Sequence, residues 1–330
     1  NQQFGIDFDW TSAEQALNLE DVRSRYIEPA MAQLANEIDS RCAQWAYLNT
    51  PNVVGALGTT PTTMSTYLSA RQRMVELACP PGNKGMINTP GMMSVLVGTA
   101  ANLTFTNPVD QVSKAFKEGV YGRAAGFDWY ESNNLYSHTS GIWAGAVTVN
   151  GSGQSGASIL VTCTTGDTFL AGDSITFAAV NAVNPMNRRS TGSLKHFIIT
   201  DSTTGAASAA TLSISPSIVG PGDQYQNVDA LPLTAAALAQ PAVATPTTAK
   251  TGKLGLALHG DAYALVGVKL VTPQAVELAS QTRDPGTGLS VRFVRMYDPI
   301  QDRMVNRFDT LIGFGNLYND SCAVRVASSL

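Results

Sequence analysis

One stretch, from Leu19 to Leu48, constrains the fold more than any other, because its apolar residues recur with the period of a single helical face. The residues on this face are Ile27, Met31, Leu34, Ile38, Cys42 and Trp45. Pro29 leaves two interpretations open: the helix begins there, with proline in its first turn, or an earlier turn enters through a kink. A helix of about 20 residues spans about 30 Å, which suits a rigid support lying across a sheet.

The composition indicates a surface that is largely covered by other protein. Hydrophobic residues make up 44% of the 330 residues and charged residues only 14%, against about 25% charged in ordinary globular proteins. The net charge of −4 excludes a global basic field that would draw the chain to nucleic acid. The length is sufficient for two domains or for one elaborated domain.

The four cysteines, Cys42, Cys79, Cys163 and Cys322, lie far apart and form no Cys-x-x-Cys pair. We interpret them as buried, reduced thiols of a protein from a reducing compartment. No apolar run reaches the roughly 18 residues of a membrane-spanning helix, and there is no secretory signal. The sequence opens on a strand-like segment without methionine, so we expect residues upstream of Asn1 to be missing.

The first part of the chain combines strand and helix patterns. Residues 4–10 alternate apolar and polar side chains, which predicts a strand, and we interpret it as one arm of an extended hairpin whose other arm lies upstream. A helix is predicted from Pro61 up to the stop signal at residues 79–82. Further short helices are predicted at 91–101 and 109–117, and strand character returns at 120–135.

The composition changes near Gly141. Residues 1–48 contain eleven charged side chains, whereas residues 141–249 contain only eight. Short β-branched runs separated by turn residues predict a small antiparallel β domain. The runs are AVTVN, SILVTC, SITFAAV, HFIIT and ATLSISPSIV.

The segment 240–252 is rich in Pro, Ala and Thr and reads as a linker. Helix and strand are expected to return after it, with strands at LSVRFVRMY and VNRFDTLIGF, a turn at 298–302 between them, and a last strand at 322–326. The simplest architecture is a mixed α+β body interrupted by an inserted β domain.

A Gly-x-Gly-x-x-Gly motif at residues 151–156, followed by Asp173, matches the spacing of a dinucleotide-binding site. That site requires a strand before the motif and a helix after it. Here residues 158–163 are β-branched, so we predict a hairpin loop and no cofactor.

Other catalytic or ligand-binding chemistry has little support in the sequence. The three histidines, His138, His196 and His259, could join a serine and an aspartate in a triad, but no Gly-x-Ser-x-Gly elbow accompanies them. No cluster of Cys, His, Asp or Glu has zinc or EF-hand spacing, so no metal site is predicted. We therefore predict that the chain is not an enzyme.

Residues 172–200, GDSITFAAVNAVNPMNRRSTGSLKHFIIT, resemble the inserted, telokin-like β-barrel domain of podophage-type coat proteins. These proteins are major capsid proteins of tailed double-stranded DNA bacteriophages and have the fold named after the Hong Kong phages. The resemblance continues in ATLSISPSIV and in segments on both sides of the insert, FDWTSAEQALNLEDVRSRYIEPAMAQLANEID, AGFDWYESNNLYSHTSG, LGLALHGDAYALV and RFVRMYDPIQDRMVNRFDTLIGFGNLY. The departure is at the front, where the amino-terminal arm and the first strand of the family's extended loop are absent.

The resemblance implies an α+β Hong Kong phage-type capsid fold, with a spine helix on a β-sheet, peripheral and axial domains, and an inserted antiparallel β-barrel domain. The implied segments are the end of the extended loop (1–18), the peripheral domain with the spine helix (19–60), the first part of the axial domain (61–140), the inserted barrel (141–240), the second part of the axial domain (241–285) and the return strands to the peripheral domain (286–330).

The function implied by the resemblance is that of a structural virion protein. It would self-assemble into hexamers and pentamers of an icosahedral shell around packaged double-stranded DNA, in the host cytoplasm. Its partners would be copies of itself, scaffolding and portal proteins, and DNA held without sequence specificity on the inner face, with no membrane.

Three alternatives remain open at this point. The first is a shell protein of a bacterial nanocompartment with the same fold, and the nucleic acid content of particles separates it from a phage coat. The second is a β-rich adhesion or binding module, suggested by the Thr- and Ser-rich segment. The third is a Ser-His hydrolase.

Two hypotheses concern contacts between subunits. Phe4, Ile6, Phe8 and Trp10 are expected on an adjacent subunit, because a single strand with exposed edges needs a partner, so deleting residues 1–10 should impair assembly more than folding. Arg188 and Arg189, in the loop from Asn181 to Ser190, are expected to make salt-sensitive contacts between capsomers.

Overall fold

The long helix predicted from the sequence, α1, runs over Glu28–Asn49. The computed structural model describes residues 2–11, 13, 26–99, 119, 122–244, 246–274 and 276–329. Pro29 lies in the first turn of α1, and a π-helical turn at residues 26–27 leads into it. The choice between the two interpretations stays a prediction, because the part of the predicted stretch at residues 19–25 lies outside the described residues. Leu34 and Ile38 of the predicted apolar face are buried.

Three shorter helices are present in the described part of the chain: α2 (Met64–Glu76), α3 (Pro90–Gly98) and α4 (Asn319–Cys322). The first two confirm the helices predicted after Pro61 and Gly91. Thr89 caps α3, because its side chain accepts a hydrogen bond from the Met92 N–H at 3.2 Å. The helix predicted at 109–117 lies outside the described residues. No described helix combines the length and the apolar character needed to cross a membrane.

The described strands form five sheets. They are β1 (Gln2–Thr11), β2 (Val53–Gly55), β3 (Lys84–Asn88), β4 (Arg123–Ala124), β5 (Phe127–Glu131), β6 (Ser137–Thr139), β7 (Thr148–Val149), β8 (Gly156–Thr162), β9 (Thr168–Phe169), β10 (Ser174–Phe177), β11 (Asn181–Val183), β12 (Ser190–Leu194), β13 (Phe197–Ile199), β14 (Thr203–Thr204), β15 (Ala209–Ile218), β16 (Leu238–Ala239), β17 (Thr251–His259), β18 (Tyr263–Val268), β19 (Leu278–Arg283), β20 (Ser290–Asp298), β21 (Arg303–Asn316) and β22 (Ala323–Ala327).

The chain divides into two compact units. The first contains Asn1–Cys42 and Tyr263–Asn316, and the second contains Ala43–Ala262 and Leu317–Leu330.

The first unit contains a five-stranded antiparallel sheet in the order β1-β21-β20-β19, with β18 also paired to β21. The predicted strand at residues 4–10 is confirmed, and its partner in the described chain is a strand far downstream; the arm expected upstream of Asn1 stays a prediction. β1 pairs with β21 along its whole length, from Gln2 opposite Ile312 to Thr11 opposite Arg303. The alternating pattern predicted which side chains face inward, but it carries no information about which strand lies alongside.

The apolar face of this sheet packs against α1. Leu34 and Ile38 of the helix contact Ile312, and the partly buried side chains packed around them include Phe4 and Ile6 of β1. The alternating residues of β1 therefore contribute to the core of their own unit.

The opposite face of β1 is charged. Arg303 donates to Asp9 at 2.7 Å, and Arg307 donates to Asp7 at 3.1 Å. Asp309 is buried and accepts from Arg292 and from Arg307, each at 2.5 Å.

Gly5 lies directly opposite Asp309 in the β1–β21 register. A Cβ atom at this position would lie 2.5 Å from the Asp309 carboxylate and 2.8 Å from the Arg307 guanidinium. A glycine at position 5 is therefore required for the two strands to keep this ion pair between them.

The second unit contains a mixed seven-stranded sheet in the order β2-β22-β17-β3-β5-β4, with β6 also paired to β17. Helix α2 packs against β22 and β2. The apolar residues Tyr67 and Met74 of α2 and Leu77 directly after it are buried, and the Tyr67 ring lies 5.0 Å from that of Trp129.

The inserted β domain is a nearly closed six-stranded barrel in the order β16-β10-β13-β15-β8-β7, which confirms the α+β fold with a β-barrel. Its two edge strands meet, since Leu238 N–H donates to the Val147 carbonyl at 2.9 Å and Val149 N–H to the Ala236 carbonyl at 3.0 Å. The aromatic residues of its core are Trp143, Phe169, Phe177 and Phe197.

The chain enters and leaves the barrel side by side. Ser140 N–H donates to the Lys250 carbonyl at 2.9 Å, and Trp143 N–H donates to the Pro246 carbonyl at 2.9 Å.

The strands predicted around the turn at 298–302 are confirmed as β20 and β21, and the last predicted strand is β22. The helix expected directly after the linker is absent from the described residues between 253 and 318, which form only strands and loops.

Candidate functional site

A buried polar network joins three elements of the second unit: the last turn of α1, strand β6 and the residue before β10. Tyr47 pairs through its hydroxyl with Nδ1 of His138, and Nε2 of His138 lies 2.9 Å from the Asp173 carboxylate. All three side chains are buried. In the sequence, His138 and Asp173 belong to separate patterns that suggest unrelated sites.

Asp173 has two further partners at the entrance of the barrel. Its carboxylate accepts from the Gly141 N–H at 3.1 Å and from the Leu170 N–H at 2.9 Å. Burying a carboxylate is costly unless its oxygens are hydrogen-bonded. Asp173 therefore holds Gly141 and the turn before β10 together.

Arg325 and Gly172 complete this network. Arg325 donates to the Gly172 carbonyl at 2.7 Å and lies over the Tyr47 ring, 5.4 Å from its centre. Gly172 has a φ of 97°, and a Cβ atom there would clash with the Tyr47 hydroxyl. The close approach of the barrel to α1 therefore requires glycine at position 172.

The network is not arranged for hydrolysis. Burial raises the pKa of the Tyr47 hydroxyl, so the phenol stays protonated and donates to His138. Both nitrogens of that histidine are occupied, and the position of a serine nucleophile is taken by a phenol. Among the described hydrogen bonds, none joins His138, His196 or His259 to a serine hydroxyl.

A second group of buried polar residues holds the other side of the barrel. Lys195 forms an ion pair with Asp320, and Arg73 donates to the Asn52 side chain at 3.2 Å and to the Leu194 carbonyl. These contacts connect the segment between β12 and β13 to α2 and α4.

His196 lies beside this group and accepts from the Val53 N–H at 3.2 Å. Burial, together with the nearby cations Arg73, Lys195 and Arg325, lowers the pKa of His196 well below its usual range, so the ring is neutral.

The four apolar side chains of β1 lie within their own unit. Phe8 stacks with Phe308 at a centroid distance of 5.8 Å, and Trp10 is buried beneath the Arg295 guanidinium. The premise that this strand has no partner in its own chain is therefore wrong. Deleting residues 1–10 would also remove part of the first unit's core, so that deletion cannot separate assembly from folding.

Arg188 and Arg189 lie in an exposed turn between β11 and β12. Arg188 donates to the Gln224 carbonyl at 3.1 Å, and neighbouring Met186 is 85% exposed. The turn therefore presents two cations and an apolar side chain at the surface of the barrel.

The glycine motif at residues 151–156 is a loop between the antiparallel strands β7 and β8, as predicted. The Gln154 side chain fills it by donating to the Asn150 carbonyl at 2.6 Å and accepting from Leu160 N–H at 2.7 Å. Asp173 belongs to the buried network. The glycine motif and Asp173, which together matched the spacing of a dinucleotide-binding site, are therefore parts of different local structures.

The thiols differ partly from expectation. Cys79, Cys163 and Cys322 are buried and Cys42 is partly exposed, and all four are free. Cys79, Cys322 and His259 lie together, with their ligand atoms within 4.8 Å of one another. Sequence spacing did not reveal this group, because its members come from distant parts of the chain.

The model of the family described as "P22 coat protein - gene protein 5" matches residues 6–319, nearly the whole chain. The chain is thus a major capsid protein of a tailed bacteriophage and a component of the virion. Within that class it belongs to the P22 coat protein family, which confirms the resemblance found in the sequence and implies a structural role.

Solved phage structures are also similar to this chain. The chain described as "Mycobacterium phage Che8" is 11% identical to this chain, with a TM-score of 0.45. The match covers 99% of this chain and 70% of the phage chain. The chain from "Capsid structure of the Cyanophage P-SCSP1u" is 14% identical with a TM-score of 0.43, covering 99% and 72%. The "CUS-3 coat protein I-domain" is 24% identical with a TM-score of 0.23, covering 28% of this chain and 93% of its own. A search of curated proteins found no match.

We expect Tyr47→Phe to destabilise the subunit by about 1–3 kcal/mol, because it leaves a nitrogen of buried His138 without its donor. Tyr67→Phe is the matched control, since the Tyr67 hydroxyl is buried and has no hydrogen-bond partner among the described residues. That control should be neutral or slightly stabilising. Denaturant unfolding of the two purified variants measures the difference, and equal effects would contradict the proposed role of the network.

Proposed function

We propose that copies of this chain assemble into hexamers and pentamers of an icosahedral shell that encloses packaged double-stranded DNA. Membership of the coat protein family is the observation that carries this proposal. The low content of charged residues, 14%, supports it, because a subunit with extensive lateral contacts needs little charged surface.

Exposed apolar side chains on the first unit also support lateral contacts. Ile300, at the tip of the β20–β21 hairpin, is 91% exposed, and Met296 and Tyr297 on the same hairpin are exposed as well. Large apolar side chains grouped in this way are typical of surfaces that bind other proteins.

We propose that β1 takes part in such a contact through its backbone. Only β21 pairs with it in the part of the chain that the structure describes, so β1 lies at an edge of its sheet. Along this edge, alternate residues between Gln2 and Trp10 offer N–H and C=O groups to a strand of another chain. Phe4, Ile6, Phe8 and Trp10 would then support the contact by holding β1 against its own core.

Arg188 and Arg189 suit a second contact, between capsomers. An exposed pair of cations on a turn attracts carboxylates of a neighbour, and such attraction is screened by salt. Repeated around closed rings, contacts of this modest strength add up, because a released contact stays close to its partner.

The remaining partners are proposed on family membership. Scaffolding and portal proteins would guide assembly, and the net charge of −4 suits an inner surface that contains DNA without binding it tightly. We likewise propose the peripheral and axial assignment of the segments predicted from the sequence.

Electron microscopy of the full-length chain, expressed alone and with the scaffolding protein of the same phage, tests the shell. Closed icosahedral particles are expected in at least one of the two preparations, and particles from infected cells should contain DNA. Monomers in both preparations would contradict the proposal.

Amide hydrogen exchange tests the contact at β1. Alternate amides of β1 point away from β21, so they should exchange rapidly in the free subunit and become protected in assembled particles. Strand β15 is the internal control, because it has a neighbour on each side and should be protected in both states. Unchanged exchange of β1 on assembly would rule out the contact.

Replacing Arg188 and Arg189 together by alanine should weaken particles at low salt and reduce the dependence of their stability on salt. The double lysine variant keeps both charges and should retain most of that dependence. Dissociation measured over a salt series by light scattering compares the variants. Identical curves for the alanine variant and the unchanged protein would exclude an electrostatic contact at this turn.

A further inference from the structure

Two thiols and an imidazole meet in the second unit. The ligand atoms of Cys79, His259 and Cys322 lie within 4.8 Å of one another, and all three residues are buried. Cys79 follows α2, His259 ends β17, and Cys322 is the last residue of α4.

Regular structure fixes the three positions. Leu258 pairs with Ala323 in the β17–β22 register, so His259 and Cys322 are the next residues outward along this pair of strands. Cys322 N–H donates to the Tyr318 carbonyl at 2.8 Å, and Cys79 N–H donates to the Met74 carbonyl at 2.9 Å, after the last turn of α2. The group is therefore positioned by two strands and by the ends of two helices, which gives it little freedom to spread.

The chemistry of these side chains is specific. Thiolate sulfur with imidazole nitrogen is the ligand set that Zn²⁺ prefers, whereas Mg²⁺ and Ca²⁺ bind oxygen. Metal–ligand bonds of about 2.3 Å to sulfur and about 2.0 Å to nitrogen hold the ligand atoms of one ion less than about 4.6 Å apart. The ligand atoms of the three residues lie within 4.8 Å of one another, a bound slightly above this limit, so they would move closer together to share an ion.

Asp261 lies beside His259. Its backbone N–H donates to Nδ1 of His259 at 3.2 Å, and its carboxylate lies 3.5 Å from the same nitrogen. When Nε2 of a histidine binds a metal, its Nδ1 carries the proton, and a carboxylate this close can then accept from it and orient the ring. The Asp261 side chain is 63% exposed, which places the group close to solvent and gives an ion a route of entry.

The surrounding charges permit an occupied site. Lys84 lies opposite His259 in the β17–β3 register, and its charge acts on Cys79 together with that of Asp261. Two thiolates and one divalent cation add no net charge, and the charges of Lys84 and Asp261 oppose each other. An ion bound here would therefore not leave an uncompensated charge in the interior.

We propose that Cys79, His259 and Cys322 bind one zinc-like divalent cation, with the fourth position left to water and with Asp261 as the residue that orients His259. Such an ion would connect the exit of α2, the end of β17 and the start of β22. The site lies within one subunit, so the proposal does not rest on shell assembly.

Binding would displace protons. A zinc-like cation binds the thiolate form of cysteine, so binding at neutral pH releases protons from the thiols. Affinity should therefore fall as the pH is lowered.

The test uses the unassembled full-length chain, treated with a chelator and dialysed, and then titrated with Zn²⁺ or Co²⁺. We expect one equivalent to bind, release of protons, and with Co²⁺ the sulfur charge-transfer bands and intense visible bands of a tetrahedral thiolate site. The melting temperature should rise with bound Zn²⁺ and fall on addition of chelator.

Variants assign the ligands. Cys79→Ser and Cys322→Ser should abolish the charge-transfer bands, and Asp261→Asn should weaken binding by about tenfold or more while leaving the fold unchanged. Cys163→Ser is the matched control, because Cys163 is an equally buried thiol inside the barrel, and it should bind as the unchanged chain does.

The spectrum of the unchanged chain decides the proposal even if a serine variant fails to fold. Absence of Co²⁺ bands at micromolar ion concentrations would overturn it. So would a Cys79–Cys322 disulfide in the freshly purified chain, or equal loss of binding in Cys163→Ser. None of these results bears on whether the chain forms a shell.

Discussion

The Asp173 carboxylate is the group on which the second unit depends most. It lies away from water and accepts hydrogen bonds from His138, from Gly141 and from the turn before β10. A buried carboxylate with several partners is costly to disturb, because each partner removed leaves charge or a lone pair unsatisfied. The barrel is therefore joined to the body by directional contacts at one point, with the Lys195–Asp320 ion pair at another.

The first unit likewise contains a buried carboxylate with several hydrogen-bond partners, here on one face of a sheet. Asp309 is buried between two arginines, and the strand opposite carries glycine where any side chain would enter the ion pair. Charge is scarce in this chain, and a notable part of it lies in contacts of this kind within the subunit.

Local patterns in the sequence predicted what local interactions determine. The helical period of residues 27–45 gave α1 and its buried face, and the short β-branched runs gave the barrel strands. The strand at residues 4–10 was predicted, but its partner was not, because the residues that pair with it lie about 300 positions away. Similarly, Tyr47 and His138 are 91 residues apart, and neither flanking segment contains a signal for the other. Contacts between distant residues follow from the topology, so a sequence read without alignment cannot supply them.

The barrel enters and leaves the body through adjacent strands of chain, with Ser140 bonded to Lys250 and Trp143 to Pro246. A module with neighbouring ends can be gained, lost or exchanged without rerouting the chain around it, because the gap left behind is short. In evolutionary terms, the body and the barrel can diverge at different rates, provided that the residues around Asp173 and Lys195 change together. For engineering, the same geometry means that the barrel could be replaced by another module whose ends lie equally close together.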